Sequence, residues 1–270
     1  MFTFYVIIAI LLAAIGILIR YAVIHNFETR KKKRLQYALL AFQSHTNPHF
    51  IKNVLQAINW FILNNEKDLA SDYLCDFSKL MEEILKFSKK NFVTLAEKLE
   101  FLDLYIKLQH LRHKDKFDYT SMENGVALST IKVAEEINPE VFLLPPLLIQ
   151  PFIENAIEHG LKPLKTKGEL SVDFRFDRNN LVCTVADNGI GIKASQKLQA
   201  ASKINRSNIG IINTRKRLEI IRKLYGMDIK VSIQDLHPGK DEPGTKVMLE
   251  FPMPMCFSPN SGMPKELYTI

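Results

Sequence analysis

Several short stretches of this chain carry residue types suited to chemistry on a phosphate. One is Asn47-Pro48-His49-Phe50-Ile51-Lys52-Asn53. Proline cannot donate to a helix ladder and clashes with the turn before it. Either a helix kinks there, or a new helix starts with Asn47 as its cap and Pro48 at its first position. In both cases His49 stands beside a backbone irregularity. The positive end of a helix dipole disfavours imidazolium, so the ring stays neutral and nucleophilic near pH 7. Asn53 lies four residues on, shares a face with His49 and can orient the ring. His45 is also four residues away, but no third side chain completes a metal set.

The other stretches suit a nucleotide. Gln150-Pro151-Phe152-Ile153-Glu154-Asn155-Ala156-Ile157-Glu158-His159-Gly160 reads as a helix. Asp187-Asn188-Gly189-Ile190-Gly191 follows directly on a strand, Ser207-Asn208-Ile209-Gly210 opens a helix, and Pro243-Gly244-Thr245 opens the last strand. The carboxamide oxygen of Asn155 is a neutral, hard ligand for Mg²⁺, which keeps several waters and bridges phosphates. A carboxylate at the strand end, Asp187, can accept from the exocyclic amine of adenine. Gly189 and Gly191 let the backbone approach a flat base. Gly210 at a helix start leaves backbone N–H groups for phosphate oxygens. Asp-Asn-Gly alone is also a common turn, and an Asn inside a helix is usually just solvated; the signal is the set in this order. No G-x-x-x-x-G-K-[ST] and no G-x-G-x-x-G occurs, which excludes a P-loop and a dinucleotide fingerprint.

These residues need elements to hold them. Helical spacing runs through 35–116, with stripes at Ile51, Val54, Leu55, Ile58 and Phe61 or Ile62, and at Leu69, Tyr73, Leu74, Phe77, Leu80, Met81, Ile84 and Leu85. A third helix begins at Thr94-Leu95-Ala96-Glu97, a capping-box pattern. Stripes this broad pack a bundle and can pair two subunits. From about residue 117 the pattern changes. Leu170, Val172, Phe174 and Phe176 alternate with polar residues, 177–180 turns, and Leu181, Cys183 and Val185 alternate again, which predicts a hairpin. Further strands are expected over 228–234 and 245–251. Helices are expected after Pro145-Pro146 to His159, and from about Gly210 to Tyr225 with Gly226 as the stop. The fold class is α+β, with the second half an α/β sandwich.

The chain of 270 residues is 47% hydrophobic and 24% charged, an ordinary globular balance that excludes wholesale disorder. Its three cysteines form no C-x-x-C pair, against a disulfide framework or zinc ribbon. The net charge of +7 is concentrated in the run at residues 30–34, so it indicates a membrane surface rather than nucleic acid. Residues 2–24 are apolar with Arg20 as their one charge, and as a helix they span about 35 Å, enough to cross a bilayer core. Positive charge follows this segment, which places the rest of the chain in the cytoplasm and the protein in the cytoplasmic membrane as a single-pass species. A cleavable signal peptide is disfavoured by the missing positive start and cleavage site.

Taken together, the second half resembles the GHKL (Bergerat) ATP-binding fold shared by gyrase, a class of heat-shock chaperones, MutL and histidine kinases. The 150–160 string is similar to the N box of the LytS/YehU-type sensor histidine kinases. The Asn-Pro-His-Phe run ending in Asn53 is similar to their phosphoacceptor region, and Tyr105, Leu108 and Arg112 match a downstream Tyr-x-x-Leu-Glu-x-x-Arg pattern. The resemblance covers roughly residues 38–252. It implies phosphorylation of His49 from Mg·ATP and onward transfer to an Asp of a response regulator with a LytTR-type DNA-binding output. It also implies a homodimer. Asn155 would bind Mg²⁺, Asp187 the adenine, and Gly189, Gly191, Gly210, Gly244 and Thr245 would shape the nucleotide pocket. His159 faces phosphate or caps its helix, Glu154 is the candidate base, and 193–209 would be the lid, with Lys193, Lys197, Lys203 and Arg206 for phosphate contacts. Asn53 hints at a phosphatase activity.

The expected organisation is a transmembrane helix (1–24), a basic juxtamembrane linker (25–37), a helical phosphoacceptor and dimerisation domain (38–120), the ATP-binding domain (121–252) and a tail (253–270). Departures from the family pattern are His45, Lys52, Gln109 in place of glutamate, and Asn208 in place of a glycine. They leave open a nucleotide-binding scaffold without transfer, or an ATPase that works without His49. Membrane lipid is an expected contact, and no direct nucleic-acid contact is expected.

Overall fold

The computed structural model describes residues 15–18, 20, 21, 25, 48–121, 130–178, 180–201 and 207–252. Residues 15–18, 20 and 21 are helical, and the rest of the expected membrane span lies outside the described residues. Among the described residues no helix is long and apolar enough to cross a membrane. The basic run 30–34, His45, Asn47, Lys203, Arg206 and the 253–270 tail also lie outside them.

The first half is helical, as its periodicity predicts. Helix α1 spans Pro48–Leu63, with Pro48 as its first residue, and α2 spans Lys67–Ser88. A two-residue strand β1, Val93–Thr94, leads into α3, Leu95–Arg112. The capping box at its start is complete: Glu97 N–H donates to Thr94 Oγ1 at 3.1 Å, and Thr94 N–H donates to the Glu97 carboxylate at 3.1 Å. The apolar stripes divide in two. Val54, Phe61, Tyr73, Leu80 and Ile84 are buried, while Leu55, Ile62, Leu74 and Leu85 are exposed. Helix α3 is buried on most of its circumference, and includes two polar residues inside, Lys98 and Gln109.

The second half is a five-stranded sheet covered by helices. Strands β2 (Ile131–Val133), β4 (Leu170–Asp177), β5 (Asn180–Asp187), β6 (Lys230–Asp235) and β7 (Thr245–Pro252) lie in the order β2-β4-β5-β7-β6. Only β2–β4 is parallel. The hairpin has the expected register, with Phe174 opposite Cys183 and Val172 opposite Val185. A short β3, Leu143–Leu144, pairs with β1 and ties α3 to the sandwich. Helix α4, Gln150–Asn155, passes into a π-helical segment, Ala156–Leu161. Helices α5, Gly191–Ala201, and α6, Ser207–Tyr225, follow.

Two boundaries differ from the sequence reading. The helix expected after Pro145-Pro146 starts only at Gln150. Neither proline can donate to a ladder, and Leu147 adopts φ +56, which interrupts the backbone. The same helix continues past His159 because its last turns widen to i→i+5 bonding, with Lys162 N–H reaching Ile157 O at 2.9 Å. Helix α6 ends where Gly226 was expected to stop it, at φ +70, with its N–H on Arg222 O.

Candidate nucleotide-binding site

A pocket opens between the α4–π helix, the ends of β5 and β7, strand β6 and α5. Its lining includes Phe152, Asn155, Ala156, His159 and Gly160 from the helix, and Val185 and Asp187 from β5. Gly191, Ile192, Ser195 and Gln196 come from α5, Ile233 from β6, and Thr245 and Val247 from β7. The walls are mostly apolar. Asp187 is the deep polar group, only 3% exposed.

Asp187 is held by its neighbours. Gly189 N–H donates to its Oδ1 at 3.0 Å, and Thr245 bonds it through both backbone and side chain. Burial pushes its carboxyl up to about 7, against the pull of those donors. The helix can come this close because residue 160 is glycine: a Cβ there would stand 2.5 Å from Asp187 Oδ1. Gly244 takes φ +64, and a Cβ there would run into the Asp187 carbonyl oxygen. An apolar slot with one deep acceptor suits a flat heteroaromatic ring that offers an amine donor.

Asn155, His159, Asp187, Gly191 and Thr245 are thus brought together as expected, with Gly189 and Gly244 packed directly behind them. Asn155, in the lining, carries a neutral carboxamide oxygen that could hold Mg²⁺. The half-buried His159 ring is held below its ordinary pKa, by burial first, so it is neutral at pH 7. Gly210 sits in the first turn of α6. Glu154 is also outside the lining, and its charge acts instead on the hydroxyl of Tyr105 in α3. His49 is the second residue of α1, and Asn53 is half-buried one turn on.

Residues missed by sequence reasoning support the site. Three consecutive carbonyls lead into α4, and each is taken by a buried cation. Lys98 Nζ donates to Pro145 O at 2.7 Å, and Arg217 donates to Pro146 O at 2.8 Å and Leu147 O at 2.9 Å. Lys98 is 2% exposed and Arg217 1%. Burial, with Arg217 nearby, pulls the Lys98 ammonium down to about 7. At the far end of the helix, Glu158 receives Arg112 at 2.7 Å and Lys162 at 2.8 Å. Burial pushes that carboxyl up, but His113, Lys162 and Arg112 together outweigh it and hold it well below the usual range. A charged residue at an apolar helical position is the sole sequence signal for Lys98 and Arg217. Gly160, Ser195 and Gln196 carried none beyond their nearness to the motifs.

Comparison with known proteins gives two adjoining family matches. Residues 37–117 match the histidine kinase family, and residues 145–255 match the histidine kinase-, DNA gyrase B- and HSP90-like ATPase family. Among curated proteins, the sensor histidine kinase YpdA of Escherichia coli (strain K12) is 30% identical over 79% of this chain and 34% of its own length. A sensor protein LytS of Streptococcus agalactiae is 28% identical over 83% of this chain and 36% of its own length. The sensor histidine kinase YesM of Bacillus subtilis (strain 168) is 25% identical over 79% and 33%. The chain therefore spans about a third of the length of these relatives.

Proposed function

This chain belongs to the histidine kinase family, and from that premise we propose that it phosphorylates itself on His49 from Mg·ATP and passes the phosphoryl group to an aspartate of a response regulator. The observation that carries the reading is Asp187, buried in the lining of an apolar pocket that Asn155 and His159 also line. Asp187 accepts from the adenine amine, and Val185, Val247 and Ile233 enclose the ring. Asn155 would hold Mg²⁺, which when bound neutralises phosphate charge. Gly210 and the N-terminal turn of α6 offer N–H groups to the phosphates.

At His49 a neutral imidazole nitrogen forms the bond to the γ-phosphorus while the bond to the bridging oxygen of ADP breaks. The other ring nitrogen then sheds its proton. Asn53 orients the ring from one turn on. Glu154, whose charge bears on Tyr105, fits a part in placing α4 better than direct base catalysis. Homodimerisation through α1 and α2 accords with their exposed Leu55, Ile62, Leu74 and Leu85. A membrane anchor at residues 2–24 and a regulator with a LytTR-type output complete the reading; the first is supported by charge pattern and the second by family resemblance.

The test is incubation of the full chain with γ-labelled ATP and magnesium, followed by mapping of the label. The expected product is an acid-labile, alkali-stable phosphoramidate on His49, absent from His49→Gln, whose nucleotide affinity is unchanged. A wild-type chain that binds and hydrolyses ATP without labelling His49 would sink the proposal.

A further inference from the structure

One side chain outside the pocket packs beside the acceptor turn and is tied, through its neighbours, to the nucleotide-binding helix. Tyr105 lies in α3 and is fully buried. Its ring stacks on Phe50, the residue after His49, with centroids 5.8 Å apart and planes 28° from parallel. Its hydroxyl accepts from Gln109 Nε2 at 2.9 Å. Gln150, the first residue of α4, and Glu154 act on the same hydroxyl electrostatically. Gln109 accepts in turn from Arg112 at 3.4 Å, and Arg112 grips Glu158 in the π segment. Helix α3 thus holds the nucleotide-binding helix at both ends, while the Tyr105 ring holds the start of α1.

The geometry points to Tyr105 as a positioning residue for phosphoryl transfer, its ring fixing the turn that carries His49 and its hydroxyl bracing, through Gln109, Arg112 and Glu158, the helix that carries Asn155. The inference rests on His49 being the acceptor. Transfer between in-line groups tolerates little displacement, so a side chain shared by both supports acts on rate. Nucleotide binding needs only the pocket, which Tyr105 does not line. Tyr105→Phe separates these roles: the ring and its packing stay, and the hydroxyl bond to Gln109 goes.

The experiment uses the purified full chain as wild type, Tyr105→Phe, Phe50→Leu and Asp187→Asn. Nucleotide affinity, melting temperature and the single-turnover rate of His49 labelling at saturating Mg·ATP are measured. Tyr105→Phe is expected to slow labelling about tenfold while affinity stays within about twofold of wild type. Phe50→Leu, which removes the stacked ring and leaves the hydroxyl bonds, should show the same split and decides the matter if Tyr105→Phe does not fold. A labelling rate within about twofold of wild type overturns the inference, as does a parallel fall in affinity, rate and melting temperature. Failure of the underlying reading looks different: wild type itself leaves His49 unlabelled, or Asp187→Asn binds ATP as wild type does.

Discussion

The pocket and the α1–α2 helix pair finish their surfaces in opposite ways. Around Asp187 every wall is supplied by the same chain, with Gly189 and Thr245 as donors and a glycine wherever backbone presses close. The helix pair buries Val54, Phe61, Tyr73, Leu80 and Ile84 but leaves Leu55, Trp60, Ile62, Leu63, Leu74 and Leu85 in solvent. The pocket is therefore preorganised within one lobe, whereas α1 and α2 present an apolar face that the described residues do not cover. On the proposed reading, the nucleotide site stays constant while assembly or signal acts on the helices.

The contrast can be broken most sharply at Asp187. An amide there would turn an N–H₂ donor toward Gly189, Thr245 or the adenine amine, all of them donors. Asp187→Asn is expected to weaken ATP binding roughly a thousandfold, measured by calorimetry, with the helix pair undisturbed. An unchanged affinity would remove Asp187 from the site. On the helical side, Leu80→Ala should cost about 3 kcal/mol of folding stability, because Leu80 is fully buried. Leu74→Ala, on the exposed face, should cost less than about 0.5 kcal/mol in dilute protein and instead weaken self-association. Equal losses in denaturant titrations would erase the distinction between the two faces.

The smallest effect sharpens the pocket side. The Asp187 carboxyl has a folded pKa near 7, above its unfolded value near 3.8. The native state then binds more protons, so this group destabilises the ligand-free fold as pH rises from about 4 through 7. Adenine binding needs the carboxylate and should release a proton. Affinity is expected to be about tenfold weaker at pH 6 than at pH 8. A flat pH profile, or one that persists in Asp187→Asn, would assign the effect elsewhere.

Much of this could be read before the fold was known, for identifiable reasons. The β4–β5 hairpin announced itself through strict alternation and a polar turn, the α3 start through its reciprocal Thr94–Glu97 pattern, and the α6 end through Gly226. Strands β1, β2 and β3 are too short for alternation to register. The exposed halves of the α1 and α2 stripes look identical in sequence to the buried halves, since period reports a face and not what covers it. Glu154 illustrates a different limit. Its adjacency to Asn155 suggested a shared role, but successive helical residues point about 100° apart, and Glu154 is not among the described lining residues that include Asn155. The π segment and its close approach at Gly160 leave no periodic trace.

The three carbonyls held by Lys98 and Arg217 bear on how the nucleotide lobe can be isolated. A fragment cut at residue 121 would lack Lys98, strand the Pro145 carbonyl without its donor and leave β3 with no β1 beside it. Such a truncation should express poorly or aggregate. One that begins just upstream of Val93 keeps both attachments and is the shortest piece with reason to stand alone.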